Sequence, residues 1–211
     1  MDVFYTLLDG AQEKIAYSRP IEAAPPAYRT RLARMRSPAA RARTQTGLWL
    51  LACALEQAGY DRHAIERIGL DARGRPRIDG AAEFSISHSQ ALVACALADS
   101  PDMRIGLDVE HRRPVVPDRL GRLIGDAERP AIEQTPARFF DYWCAREATV
   151  KASGRVGLKR IRAITLDEGG ATLDGRRWIT RSIELAPGYA ACLACDRPLA
   201  IVRLRSQPLS D

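Results

Sequence analysis

The sequence predicts an α+β fold: two pseudo-symmetric halves of mostly antiparallel sheet, each with one long helix. Three observations carry that expectation. Helical and strand-like stretches alternate irregularly, without the regular βαβ rhythm of a parallel sheet. Two long helical segments, Ser37–Gly59 and Pro136–Ser153, fall one in each half. The chain also echoes itself. Val93-Ala94-Cys95-Ala96-Leu97-Ala98-Asp99 returns 97 residues later as Ala190-Ala191-Cys192-Leu193-Ala194-Cys195-Asp196. The helix ending Glu56-Gln57-Ala58-Gly59 returns 95 residues later as Lys151-Ala152-Ser153-Gly154. Two echoes in one order, at nearly one offset, are what duplication of an α+β unit of about 100 residues leaves behind. The expected halves are residues 1–103 and 104–211, with a functional site at the seam.

Each element has its local reason. Ser37 can cap a helix, Pro38 suits its first turn, Leu48–Leu55 is apolar, and Gly59 ends it. A short helical stretch follows near Asp61–Arg67, then a Gly/Pro/Arg-rich turn from Asp71 to Arg77. Strand-like runs occupy Glu83–Ser87, Ala91–Ala98 and Arg104–Glu110. Helical patterning returns at Asp118–Leu123 and from Pro136 to Ser153, closed by Gly154. Further strands are expected at Ile161–Leu166, Trp178–Leu185, Tyr189–Cys195 and Leu199–Leu204.

Composition excludes several classes. The chain has 211 residues, 46% hydrophobic and 27% charged, so it can bury a core without disulfides or metal staples. Its longest apolar run, Leu48–Leu55, falls far short of the ~20 residues a membrane helix needs. Met1-Asp2-Val3-Phe4 is acidic where a signal peptide is basic. The five cysteines are odd in number and sit mostly in apolar runs, as buried thiols do; Cys192 and Cys195 point to opposite faces of a strand. A cytoplasmic protein with no membrane contact is expected. The net charge is +6, from 32 Lys+Arg against 26 Asp+Glu, and only Lys14, Lys151 and Lys159 are lysines.

Four constellations carry chemistry. In Gly106-Leu107-Asp108-Val109-Glu110 the two acids are two apart, so on a strand both point from one face. Oxygen ligands so placed suit a hard ion such as Mg²⁺, the plain alternative being a solvated strand end satisfied by Arg112 and Arg113. On the helix after Phe140, Trp143, Glu147 and Lys151 recur every four residues and share a face. Glu147 can be a third ligand or a general base and Lys151 a phosphate-binding cation; the alternative is a surface ion pair, which the bulk of Trp143 argues against. Ile86-Ser87-His88-Ser89 ends a half-buried strand with polar groups, His88 being either a phosphate ligand or a structural histidine. Arginines cluster at Arg29, Arg31, Arg34 and Arg36, at Arg41 and Arg43 beside Thr44, and in Arg73-Gly74-Arg75-Pro76-Arg77. Guanidinium forks match phosphate oxygens, although charge runs are usually solvated faces.

In order, these pieces resemble the 4′-phosphopantetheinyl transferase superfamily, in its surfactin-synthetase-type branch. That family's Gly-Lys-Pro turn looks like Gly74-Arg75-Pro76, and its Ile-Ser-His-Ser strand end like Ile86-Ser87-His88-Ser89. Its Gly-Ile-Asp-hydrophobic-Glu signature is matched by Gly106–Glu110. Its Trp-Ser-x-Lys-Glu with a downstream Lys is matched by Trp143, Cys144, Arg146, Glu147 and Lys151.

The resemblance implies a monomer of two α+β halves with coenzyme A between them. It implies transfer of phosphopantetheine to a serine of an apo acyl or peptidyl carrier protein, releasing adenosine 3′,5′-bisphosphate. Asp108, Glu110 and Glu147 would hold Mg²⁺; Glu147, Lys151 and His88 would be catalytic. Arg31, Arg43, Thr44, Arg75, Ser87, His88, Arg146 and Lys151 would bind coenzyme A. Arg75 and Arg146 depart from the family's lysines, and residues 117–136 match no motif. The competing expectation, a nucleic-acid-binding module, draws on the positive charge, but aromatics are only 6% and no binding motif occurs. An inactive binder of coenzyme A and a carrier-independent Mg²⁺ phosphodiesterase are further alternatives.

Overall fold

In chain order, the computed structural model has β1 (Asp2–Leu7), α1 (Gly10–Ser18), α2 (Pro26–Arg34), α3 (Pro38–Gln57), β2 (Ile68–Leu70), β3 (Pro76–Ile78), β4 (Phe84–Ser89), β5 (Leu92–Leu97) and β6 (Ile105–His111). These are followed by α4 (Arg129–Gln134), α5 (Phe139–Ser153), α6 (Leu158–Arg162), β7 (Thr165–Asp167), β8 (Gly170–Leu173), β9 (Arg176–Ser182), β10 (Tyr189–Cys195) and β11 (Arg203–Ser206). The structure describes residues 1–61, 63–71, 75–115, 124–155 and 157–209, apart from the Tyr17 side chain. Gly74 of the expected turn and the helical patterning at Asp118–Leu123 lie outside the described residues. The chain divides into one unit of Met1–Met103 with Ile201–Asp211 and a second of Arg104–Ala200.

In the first unit the sheet order is β11-β1-β5-β4, with β5 antiparallel to both β1 and β4. Ser37 Oγ accepts from the Ala40 N–H at 3.3 Å and Pro38 opens α3, as its sequence signals. Gly59 ends the helix at φ +83°, a conformation only glycine adopts freely. α3 buries Leu50, Leu51 and Leu55 and lies close on β4: a Cβ at Gly47 would stand 2.7 Å from Ile86 Cγ2.

The second unit is a five-stranded antiparallel sheet, β6-β10-β9-β8-β7. α5 packs on β6 and β10, and Gly154 ends it at φ +73°. Here the close approach is made by a strand glycine. A Cβ on Gly106 would collide with the Ala148 carbonyl oxygen and stand 2.6 Å from the Ala152 nitrogen. In both units a strand precedes the long helix and further strands follow it, β5 lying between β1 and β4 and β10 between β6 and β9. The 93–99 echo begins on β5 and the 190–196 echo on β10.

Three expectations change. The N-terminal 36 residues, unassigned from sequence, form β1, α1 and α2. The strand expected at Ile161–Leu166 is instead α6 followed by β7. Ile161 and Ile164, three apart, are both buried, which is helical spacing. The last strand lies at Arg203–Ser206 rather than Leu199–Leu204 and runs parallel to β1, with Arg203 and Arg205 both on Asp2. That pairing assigns Ile201–Asp211 to the first unit, where the 104–211 half had placed them in the second. All five cysteines are free thiols, Cys53 half-buried and the rest buried. Burial pushes Cys192 up to about 12 and Cys195 to about 11, far from a reactive thiolate. Among the described residues no helix is long and apolar enough to cross a membrane.

Candidate active site

β6 alternates its faces, so Gly106, Asp108 and Glu110 share one, and the Gly106–Ala148 approach fixes that face toward α5. Across the ladder Asp108 stands opposite Cys192 and Glu110 opposite Ala190. Asp108 is buried, and a buried carboxylate needs a counter-charge. Lys151 of α5 supplies one: its Nζ donates to Asp108 Oδ1 at 2.7 Å and to the Leu107 carbonyl at 3.0 Å. Glu110 has Arg113 3.8 Å away.

Glu147, one turn before Lys151, is half-buried. Burial raises its carboxyl above the ordinary value, the negative Asp108 and Glu110 raise it further, and Lys151 opposes them. Trp143 is partly buried and stacks on Phe139, ring centres 5.9 Å apart, as the bulk of that face implied. Behind the acids, buried Cys144 donates to the Ala190 carbonyl at 3.6 Å.

Among the described residues no group of three His, Cys, Asp or Glu side chains stands ready to hold a metal ion. The donor chemistry still fits a hard divalent cation. Three carboxylates share one neighbourhood, two of them raising the third, and an ammonium sits on one prospective ligand oxygen.

The coenzyme A candidates lie mainly in the first unit. Ile86 packs over Gly47, so His88, two residues on, lies exposed on the same face of β4. Arg43, one turn before Gly47, reaches the Gln90 carbonyl at 3.4 Å. Thr44 Oγ1 donates to the Ala40 carbonyl at 3.0 Å and lies 3.8 Å from the sulfur of Met35, which follows α2 one turn after Arg31. Arg43, Thr44 and His88 thus lie toward the start of α3, while Arg31 is exposed on α2. Ser87 is buried on the opposite face of β4 from His88. Arg75 closes a turn with Asp71, each backbone N–H bonded across it, and its guanidinium pairs with Glu83.

Arg146 is a correction. It was expected to bind coenzyme A, but it is 3% exposed. It donates to the carbonyls of Ile161 and Ile164 at 2.9 and 2.6 Å and pairs with buried Glu128. It follows Phe139 by seven residues and precedes Val150 by four, on the buried stripe of α5. Sequence reasoning missed Glu128, which also accepts from the Gly125 N–H. The available signal was an arginine at a core position, which demands a carboxylate partner.

Residues 104–194 match the 4′-phosphopantetheinyl transferase superfamily. The chain is 28% identical over 129 residues to 4′-phosphopantetheinyl transferase psf-1 of Bacillus pumilus, covering 56% of this chain and 54% of that protein. It is 32% identical over 108 residues to 4′-phosphopantetheinyl transferase HetI of Nostoc sp. (strain PCC 7120 / SAG 25.82 / UTEX 2576), covering 46% of this chain and 44% of that one. The chain thus spans about half the length of the curated relatives it matches. The matched stretch contains β6 with Asp108 and Glu110 and α5 with Glu147 and Lys151.

Proposed function

We propose that this protein transfers the 4′-phosphopantetheine group of coenzyme A to a serine of an apo acyl or peptidyl carrier protein, releasing adenosine 3′,5′-bisphosphate. The observation that carries the reading is Glu147 and Lys151, one turn apart on α5, set against Asp108 and Glu110 of β6 inside the matched segment. The carrier serine oxygen bonds to the pantetheine-bearing phosphorus as the bond to the nucleotide phosphate breaks. Glu147, whose environment raises its proton affinity, takes the serine proton. Lys151 neutralises the charge that builds on the departing phosphate. Asp108, Glu110 and Glu147 would hold Mg²⁺, which when bound supplies charge neutralisation at the pyrophosphate. Arg31, Arg43, Thr44 and His88, with Arg75, would bind the phosphates of coenzyme A, and Ser87 would lie by the nucleotide. The protein would work as a cytoplasmic monomer, its basic surface suiting an acidic carrier.

The test is intact-mass analysis of apo carriers incubated with the protein, coenzyme A and Mg²⁺. Wild type should add one phosphopantetheine; EDTA should abolish the gain, and Glu147→Gln should slow it about 10²–10⁴-fold, the usual worth of a general base. Absence of both transfer and coenzyme A binding sinks the proposal. Salt-sensitive binding to DNA or RNA that survives Glu147→Gln would favour a nucleic-acid module instead.

A further inference from the structure

Lys151 is placed where a metal ligand's cation belongs. Its Nζ lies 2.7 Å from Asp108 Oδ1, and Asp108 is one of the three carboxylates of the metal reading above. The carboxylate is 8% exposed and the lysine 26%, so the ammonium enters from the open side on a flexible stem. Its second bond, to the Leu107 carbonyl at 3.0 Å, points it along β6 rather than outward. An ammonium and a divalent ion on the same carboxylate repel each other through a partly buried medium. Either can neutralise Asp108; the two exclude one another at that oxygen.

We propose that Lys151 is the resident stand-in for the metal: it holds Asp108 while the site is ion-free, and loading a divalent cation expels its ammonium toward the substrate. This rests on the metal reading of Asp108, Glu110 and Glu147. It gives the fold a counter-charge for a buried acid before any ion arrives, and delivers the phosphate-neutralising cation only to a loaded site. By linkage, a group that competes with the ion weakens ion binding by the same factor that the ion weakens its hold.

Two measurements test it on the full chain without coenzyme A or carrier. The first is Mn²⁺ binding by electron paramagnetic resonance. Lys151→Gln, which keeps a donor for the Leu107 carbonyl but no charge, should bind Mn²⁺ about tenfold tighter than wild type, a modest fraction of the close-range repulsion removed. Lys151→Arg should bind it as wild type does. Equal or weaker binding by Lys151→Gln overturns the exchange while leaving the three ligands in place. No binding by wild type or either variant overturns the exchange and the metal reading together. The second uses wild type alone, so folding of a variant is not at issue. With only three lysines, ¹⁵N-lysine ammonium spectra can resolve each. One ammonium signal should be protected in ion-free protein and lost on adding Mg²⁺; a protected signal unmoved by saturating Mg²⁺ overturns the proposal. Transfer activity is a separate readout, so its absence would leave this result interpretable.

Discussion

The two units follow the same path and fill it differently. In each, the strand before the long helix pairs antiparallel with one that follows it, β1 with β5 and β6 with β10; that strand pairs in turn with a third, β4 or β9, and a glycine-terminated helix packs on the strands. Where β6 presents Asp108 opposite Cys192, β1 presents Phe4 opposite Cys95. Shifted by the 95 residues of the helix echo, Glu147 falls on Ala52, Lys151 on Glu56 and Arg146 on Leu51. Phe4 and Leu51 are fully buried and apolar. Among the described residues the first unit buries no Asp, Glu, Lys or Arg side chain, so the buried charged side chains of the second are not what such a frame requires.

The sharpest way to break this comparison is the Arg146–Glu128 pair, where the other unit has Leu51. Arg146→Leu alone leaves Glu128 buried without its cation and the carbonyls of Ile161 and Ile164 without a donor, and should cost about 3–5 kcal/mol. Arg146→Leu with Glu128→Leu should recover most of that, because buried pairs exchanged for apolar groups are often neutral. Urea melts of the single and double variants decide it. A double variant no more stable than the single would mean that the carbonyl bonds, not the ion pair, hold α5.

A smaller effect separates the two close approaches of helix to sheet. On β6 the obstacle to a methyl at Gly106 is the backbone of α5, which cannot turn aside, so Gly106→Ala should cost about 3 kcal/mol. At Gly47 the obstacle is the Ile86 side chain, which can rotate, and the gain in helix propensity offsets part of the strain. Gly47→Ala should therefore cost about 1 kcal/mol or less. Thermal melts that rank the two the other way would mean that α5 slides more easily over its sheet than α3 does.

The same contrast governs what could be read in advance. α3 and α5 carry caps and long patterns, and β5, β6 and β10 carry dense apolar runs, so their places were legible. Period two set Asp108 and Glu110 on one face, and a four-residue step set Glu147 with Lys151. β1 was not legible because adjacent Val3 and Phe4 are both buried, which breaks alternation. β7 is a three-residue strand with exposed ends, its identity given by pairing with β8 alone. Arg146 misled because a motif position beside Glu147 suggested a ligand contact, while its helical phase sent it into the core. The Lys151–Asp108 bond joins residues 43 positions apart, and no local pattern encodes such a contact.

The least effect is expected at β11, an added edge strand with no equivalent beside β6 among the described residues. Arg203 foremost, with Arg205, holds the Asp2 carboxyl at about 2, below its ordinary 3.8, against the opposing pull of burial. A carboxyl lowered by folding stabilises the folded state above its unfolded pKa, and that contribution fades as pH falls from about 4 toward 2. Both guanidiniums are substantially exposed, so screening limits the value at neutral pH to about 1 kcal/mol. Asp2→Asn should therefore lower Tm by about 2–4 °C at pH 7, with the gap narrowing as pH falls below 4. A gap that stays constant with pH would show that Asp2 acts through the shape of the β1–β11 pairing and not through its charge.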